Sequence, residues 1–279
     1  MDIVLTLFLG LLGVFSGFLG GLLGIGGGII VVPILIIVFG LESKIAVGTS
    51  LLMILFTALS GTVAYFRQRR IDWTVGLVAA VATVPGAAIG AYMTTFFNSR
   101  NLAIIFGFML FFVAAGMTRR SERTTENPNA STMSDKTESA PKKRWARRLV
   151  DAKGRVFKYN ARLIPALPLL FFGGLASGFL GIGGGLIVVP IFADFVGLPI
   201  HLAVATSMLT MIFTSISGVS THIMLGDVRL DYAVPLIVGI LLGAQGGART
   251  ARSVKSVTLE RVFAVVVVVI GVILIVSRM

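Results

Sequence analysis

The chain has 279 residues, of which 56% are hydrophobic and only 13% are charged. Soluble proteins carry about 25% charged residues, whereas the apolar runs here are long enough to cross a hydrocarbon core of about 30 Å as helices. Alternation of apolar and polar residues over roughly ten positions, as in a transmembrane β-barrel, is absent. The sequence therefore excludes a soluble fold and predicts an all-α polytopic membrane protein.

The net charge of +12 is concentrated in one segment, because 13 of the 24 Lys and Arg residues lie between Arg119 and Arg162. That distribution is typical of a cytoplasmic loop rather than of a nucleic-acid-binding surface. The chain has no cysteine, which excludes disulfides, thiolate catalysis and cysteine-bound metal. Dinucleotide and phosphate-loop fingerprints are also missing from the sequence. We therefore expect no enzymatic activity, no cofactor and no metal.

The first apolar stretch runs over residues 3–40, a length of 38 residues. As one straight helix it would be about 57 Å long, roughly twice what a bilayer needs. The cluster Gly24–Gly28 is where this helix can break, because each glycine in a helix interior costs about 1 kcal/mol relative to alanine. The sequence predicts a discontinuous first helix, followed by helices over 46–66, 73–97 and 102–117.

Residues 118–160 form a polar, basic linker with 13 basic and 5 acidic residues when it is counted to Arg162. In its second part, residues 142–158, Trp145, Leu149 and Val156 fall on one helical face among arginines. This pattern favours a helix in the membrane interface that binds anionic lipids. The alternative is a basic linker whose apolar residues are incidental.

The second half repeats the first. Residues 181–192 (GIGGGLIVVPIF) match residues 24–35 (GIGGGIIVVPIL) at ten of twelve positions, with an offset of 157. We therefore divide the chain into a first transmembrane repeat (1–117), the linker (118–160) and a second repeat (161–279). The second repeat is predicted to break at Gly181–Gly185 and to continue with helices over 202–223, 232–248 and 258–277.

Loop charges predict which way each repeat faces, since basic loops stay on the cytoplasmic side. The basic linker and the loop with Arg67, Arg69 and Arg70 are then cytoplasmic. The loop with Asp227, Arg229 and Asp231, which is equivalent to the Arg67–Arg70 loop, falls outside. Two inverted repeats of about five helical segments each explain this; a parallel four-plus-four arrangement is the alternative.

Broken helices in membrane proteins commonly surround a shared site near the bilayer midplane. The first turn after each break exposes unpaired N–H groups and a positive dipole end, which suit a small oxyanion. Hydroxyl groups on the next helix of each half are candidates for further donors. The alternatives are close helix packing for the glycines and bonds to their own helix backbone for the hydroxyls. The candidate substrate-binding residues are Gly26, Gly27, Gly28, Thr49, Ser50, Gly183, Gly184, Gly185, Thr206 and Ser207.

Titratable side chains are scarce within the apolar segments. His222, which matches Tyr65 in the repeat, and Asp194 are candidates for a gate or proton site, although Asp194 lies near the end of its segment. His201 begins a predicted helix and is more typical of an interfacial residue. Because an anion that leaves a negative-inside cell gains about 2.3 kcal/mol per charge per 100 mV, the scarcity of carboxylates favours anion efflux over uptake.

The paired GIGGG-(I/L)-IVVP segments, each followed by a Thr-Ser pair on the next helix, resemble the sulfite exporter TauE/SafE family of membrane permeases. The resemblance covers both halves but not the 118–160 linker. It implies a transporter of the inner (plasma) membrane that exports sulfite or a related sulfur oxyanion or organosulfonate. An importer or ion-coupled permease of the same fold is the alternative, and a membrane-embedded enzyme or assembly factor is a weaker one.

Overall fold

A computed structural model describes residues 3–98, 101, 102, 105, 145–254 and 258. The predicted helices over 102–117 and 258–277 and the first part of the linker lie outside these residues, apart from single positions. Within the described part, the chain is mostly helical, with one small two-stranded sheet. The prediction of an all-α polytopic membrane protein is confirmed in its helical content.

Eight α-helices and two strands make up the described part of the chain. In chain order they are α1 (Ile3–Leu23), α2 (Gly28–Ile37), α3 (Ser43–Arg67), α4 (Trp73–Met93), β1 (Trp145–Val150), β2 (Val156–Ala161), α5 (Leu167–Leu180), α6 (Gly185–Pro190), α7 (Ile200–Met224) and α8 (Leu230–Ala251). A 3₁₀ turn follows α4 at Thr94–Phe96, another precedes α5 at Ile164–Ala166, and a π-helical turn extends α6 over Ile191–Val196. Helices α1, α3, α4 with its 3₁₀ turn, α7 and α8 are each long and apolar enough to cross a membrane.

Both predicted breaks are confirmed. Helix α1 ends at Leu23 and α2 starts at Gly28, while α5 ends at Leu180 and α6 starts at Gly185. The connecting glycines adopt left-handed backbone conformations, with φ near +80° at Gly27 and Gly184. Since L-residues pay roughly 1–2 kcal/mol for that conformation, glycine is the residue that turns the chain here.

Contacts between helices fix their relative directions. Helices α3 and α8 are parallel, because Ser60 bonds the Leu241 carbonyl and Gln68 bonds the Ala248 carbonyl. Helices α3 and α7 are antiparallel, because a Cβ at Gly48 would meet His222 while one at Gly61 would meet Met208.

The same comparison shows that α1 runs parallel to α3 and α8, and that α5 and α7 run parallel to α4. Equivalent helices of the two halves therefore run in opposite directions. These directions fit the predicted inverted repeats. The side of a membrane on which each loop lies stays a prediction.

The halves interlock through pairs of glycine-rich helices, α1 with α8 and α4 with α5. A Cβ at Gly247 of α8 would lie 1.9 Å from the Phe18 carbonyl oxygen of α1, and one at Gly178 of α5 would lie 2.0 Å from that of Ala87 in α4. Small residues at such positions let helix backbones approach closely, which drives association inside a membrane. Each half thus lends an outer helix to the other.

The predicted interfacial helix over 142–158 is wrong. Residues 145–161 form an antiparallel hairpin in which Trp145 pairs with Ala161 and Val150 with Val156. Its half-buried residues alternate with exposed ones, and Leu149, Phe157 and Tyr159 pack against a cluster of buried apolar residues that includes Val75 of α4 and Phe192 of the π-helical turn. Burial therefore alternates with the two-residue period of a strand instead of the spacing of a helix. Gly154 lies in the turn between the strands, with φ +78°.

The hairpin is tied to the turn between α3 and α4 by buried charge. The guanidinium of Arg70 donates to Asp151 at 3.0 Å, with both side chains only 2% exposed. Burial alone would raise the pKa of Asp151, but hydrogen bonds from Arg70 and from the amides of Arg155 and Lys153 hold that pKa below its usual value. Arg147 and Tyr159 bond the carboxylate of Asp72 beside this pair.

Replacement of Gly247 by alanine should destabilise the bundle by about 1–3 kcal/mol, because its methyl group has no space against α1. The matched control is Gly246→Ala in the next position, where a Cβ would lie 3.6 Å from the Phe18 ring, at ordinary contact distance. That control should be neutral or gain up to about 1 kcal/mol of helix propensity. Thermal unfolding of the purified proteins in detergent measures both. Equal midpoints for the two variants would contradict the close α1–α8 packing.

Candidate functional site

The two glycine breaks contact each other directly. A Cβ at Gly28 would lie 2.4 Å from the carbonyl oxygen of Gly181, and one at Gly185 would lie 2.1 Å from that of Gly24. Every residue of both clusters is buried. The backbone of one half is therefore packed against the backbone of the other at the centre of the protein, as the prediction of converging breaks required.

The amides that follow each break are unpaired within the described residues. Ile30 and Val31 donate to the Gly27 carbonyl, and Ile187 and Val188 donate to that of Gly184. The amides just before them, at 26–29 and 183–186, donate to no acceptor among those residues. Two groups of buried N–H donors thus lie close together, one at each helix start. An anion is the ligand that such donors and the helix dipoles favour.

The serines of the two Thr-Ser pairs link the halves. The hydroxyl of Ser50 on α3 donates to the Gly181 carbonyl at 2.8 Å, and Ser207 on α7 donates to the Gly24 carbonyl at 3.0 Å. Each also lies within hydrogen-bond distance of its own helix, at the carbonyls of Val47 and Val204. These hydroxyl protons are engaged by carbonyls, so here the serines position the breaks.

The threonines of the same pairs hold the loops of the opposite half. The hydroxyl oxygen of Thr49 accepts from the Arg229 amide, and that of Thr206 accepts from the Asp72 amide, both at 3.1 Å. Arg229 and Asp72 are themselves equivalent, at the offset of 157. All four hydroxyls therefore join the two repeats, the serines at the glycine breaks and the threonines at the loops of the opposite half.

Two apolar side chains that the sequence analysis missed cover the glycines. Ile54 of α3 and its equivalent Met211 of α7 both lie against Gly26 and against Gly183, within 2.5–3.1 Å of the positions their Cβ atoms would take. These two side chains therefore cover Gly26 and Gly183 in this conformation. Nothing in the sequence distinguishes Ile54 and Met211 from other buried apolar residues except that they match in the repeat.

A basic cavity of about 580 Å³ opens between the ends of α3 and α8. Three arginines line it, together with two glutamines and two hydroxyl side chains. Among the described residues no carboxylate forms an ion pair with these arginines. The cavity lies at the end that the charge pattern predicts to be cytoplasmic, where it can attract anions. Its lining residues are Val63, Ala64, Arg67, Gln68, Gln245, Arg249, Thr250, Arg252 and Ser253.

The candidate gate residues lie in different environments. Asp194, in the π-helical turn, is exposed, whereas His222 is completely buried near the end of α7. His201 is half-buried at the start of α7, at the opposite end of that helix. Within residues 3–98 and 145–254, no group of three or more His, Asp or Glu side chains is placed to hold a metal ion.

Comparisons with known proteins find similar chains among membrane transporters. The family model described as "Sulfite exporter TauE/SafE" matches residues 9–274. A Bacillus subtilis protein named "Probable membrane transporter protein YunE" is 30% identical over 228 residues, which are 82% of this chain and 79% of that protein. "Probable membrane transporter protein YdhB" of the same species is 27% identical, over 82% of this chain and 84% of its own length.

A "Probable membrane transporter protein" of Xylella fastidiosa strain Temecula1 is 25% identical, over 88% of this chain and 85% of its own. No solved structure matches the chain. These comparisons confirm the predicted resemblance and a multi-pass protein of the cell membrane.

Substitution of Ser50 by alanine should lower the stability by about 1–3 kcal/mol, because the buried carbonyl of Gly181 loses its donor from the other half. The matched control is Ser16→Ala, since the Ser16 hydroxyl is equally buried but bonds only the Gly13 carbonyl of its own helix, at 3.3 Å. Thermal unfolding in detergent compares the two variants. A control that loses as much stability as Ser50→Ala would argue against the link between the halves.

Proposed function

The chain belongs to the sulfite exporter TauE/SafE family, and we propose that this membrane transporter exports a small anion, namely sulfite or a related sulfur oxyanion or organosulfonate. The proposal rests on one observation: a set of backbone amides without acceptors lies at each of the two glycine breaks. Each group combines backbone donors with a helix N-terminus, and both effects favour a compact negative charge. We assign the substrate site to these amides and to the Thr-Ser pairs around them.

Alternating access follows from the way the site is built. Each half of the chain contributes one set of donors to the site, and the helices that carry the two sets run in opposite directions. A small rotation of one half against the other would break Ser50–Gly181 and Ser207–Gly24 contacts, which hold the breaks together. Movement of Ile54 and Met211 would then open the amides to one side. No chemical step is involved, which agrees with a transporter and not an enzyme.

The basic cavity and the membrane potential together favour transport of the anion outward in this proposal. Arg67, Arg249 and Arg252 raise the local concentration of anions at the predicted cytoplasmic end. The membrane potential then favours outward movement by about 2.3 kcal/mol per charge per 100 mV. Anionic lipids remain a proposed partner of the basic 142–158 segment, whose Arg148 and Lys158 are exposed on the hairpin.

Purified protein in liposomes loaded with sulfite should release it faster than protein-free liposomes do, and faster still under an inside-negative potential, because the charge moves down the potential. Liposomes loaded with sulfate, taurine or chloride test selectivity. Sulfite-specific electrode or dye measurements outside the liposomes follow the efflux. Equal release with and without protein under an imposed potential would contradict the export of sulfite. Selective release of another anion would identify that anion as the substrate instead of sulfite.

Arg249→Gln or Arg252→Gln should raise the KM for the internal anion about two- to fivefold, because one exposed charge at the cavity contributes roughly 0.5–1 kcal/mol. The maximal rate should change little, since the glycine site is untouched. Arg148→Gln, an equally conservative change on the exposed face of the hairpin, is the control. A similar KM for all three variants and the wild type would show that the anion does not pass through the cavity.

A further inference from the structure

His222 connects three parts of the protein although it is completely buried. Its Nε2 lies 3.2 Å from the carbonyl oxygen of Gly178 on α5, and its Nδ1 lies 3.2 Å from a carboxylate oxygen of Asp227 in the loop after α7. The Asp227 amide also donates to the His222 carbonyl at 2.9 Å. Both ring nitrogens therefore face acceptors.

A neutral imidazole cannot satisfy both contacts. It has one N–H donor and one nitrogen that accepts, whereas a carbonyl and an ionised carboxylate only accept. Both contacts are made when one further proton is present, either on the second ring nitrogen or on the carboxyl group. We propose that His222 and Asp227 form a proton-binding site and that its proton holds the α7–α8 loop against α5.

The first half shows what this position looks like without a proton site. Tyr65 is equivalent to His222, and its hydroxyl donates to the carbonyl of Gly21, the equivalent of Gly178, at 2.7 Å. Tyrosine in water loses its proton only near pH 10. The equivalent of Asp227 is Arg70, which bonds Asp151 instead. The same backbone link is thus made by a hydroxyl group in one half and by an imidazole in the other.

The helices that pack against the pair present glycines to it. Helix α3 faces it with Gly48, whose Cβ would lie 2.4 Å from the Asp227 carbonyl oxygen and 3.0 Å from the His222 Cβ, and α5 faces it with Gly178. Neither residue is titratable. Among the described residues, the other charged groups at this end are Arg229 and Asp231, which are paired with each other at 2.7 Å, and Glu42 and Lys44 at the start of α3.

The pair has a route for proton exchange on one side. The side chain of Asp227 is 15% exposed and that of His222 is not exposed at all, so protons enter and leave through the carboxyl group. This end of the protein is predicted to face the outer side of the membrane, whereas the basic cavity is predicted to face the cytoplasm. External pH would therefore act on the proton of the pair.

Loss of the proton would break one of the two contacts. Either the Gly178 carbonyl, three residues before the break at Gly181, loses its donor, or an ionised Asp227 faces a bare ring nitrogen. Both outcomes loosen the loop whose Arg229 amide bonds Thr49, a residue of the proposed substrate site. This consequence for transport rests on the proposed function, while the proton site itself does not.

The first experiment measures the proton without any substrate. The chain has two histidines, so protein labelled with ¹⁵N-histidine gives two pairs of ring nitrogen signals, and His201→Gln assigns them. In neutral buffer we expect the His222 ring to carry protons on both nitrogens, or else an infrared band of a protonated carboxyl group that Asp227→Asn removes. A singly protonated ring with no such carboxyl band would overturn the proposal.

The second experiment uses His222→Tyr, which copies the other half and keeps one donor for the Gly178 carbonyl. In liposomes with fixed internal pH, wild-type flux should change about threefold or more as external pH crosses the range in which histidine and carboxyl groups titrate. The His222→Tyr variant should be flat, and the His201→Gln control should follow the wild type. A wild-type profile that His222→Tyr leaves unchanged would overturn the proton site and leave the export function standing. If the wild type carries no anion at all, the export function fails and the spectra alone decide the proton site.

Discussion

The rest of the structure depends on the contact between two stretches of bare backbone. Gly28 lies on the Gly181 carbonyl and Gly185 on that of Gly24, at distances that leave no room for a side chain. Buried peptide groups without partners are costly, and a break inside a bundle creates several of them. The fold limits this cost by letting each half supply the donor that the other lacks, through Ser50 and Ser207. The amides that remain unpaired are those with which a small anion could be bound.

The exchange of outer helices follows from the same constraint. In this fold, each broken helix packs along a helix of the opposite half. Helix α8 encloses the first break along α1, and α4 encloses the second along α5. Backbone contact at Gly247 and Gly178 brings these pairs close enough, and packing rather than apolar burial is what associates helices in lipid. A movement of one half therefore carries helices that contact the other half, which couples both ends of the site.

Length and repetition were enough to predict the breaks and their convergence, because a 38-residue apolar stretch cannot cross a bilayer once as a straight helix. The hairpin at 145–161 was not foreseen, since Trp145, Leu149 and Val156 satisfy a helical spacing while the alternating burial of β2 appears only in the fold. The cover by Ile54 and Met211 was equally invisible, because apolar residues dominate every membrane span. The sequence predicts the serine hydroxyls as ligand donors, but it does not show their contacts with the break carbonyls of the opposite half.

Duplication gave both halves the same backbone, and the polar ends then diverged. In the first half, Arg70 needs a counter-charge in a buried position, and the hairpin supplies it as Asp151. In the second half, the equivalent position is Asp227. Its partner, His222, lies on α7, the helix that leads directly into the loop of Asp227. A buried arginine stays charged at any physiological pH, whereas a histidine and a carboxyl group exchange a proton. The two ends of one symmetric scaffold therefore differ in kind: the end tied by the hairpin is fixed, and the end tied by His222 can respond to its surroundings.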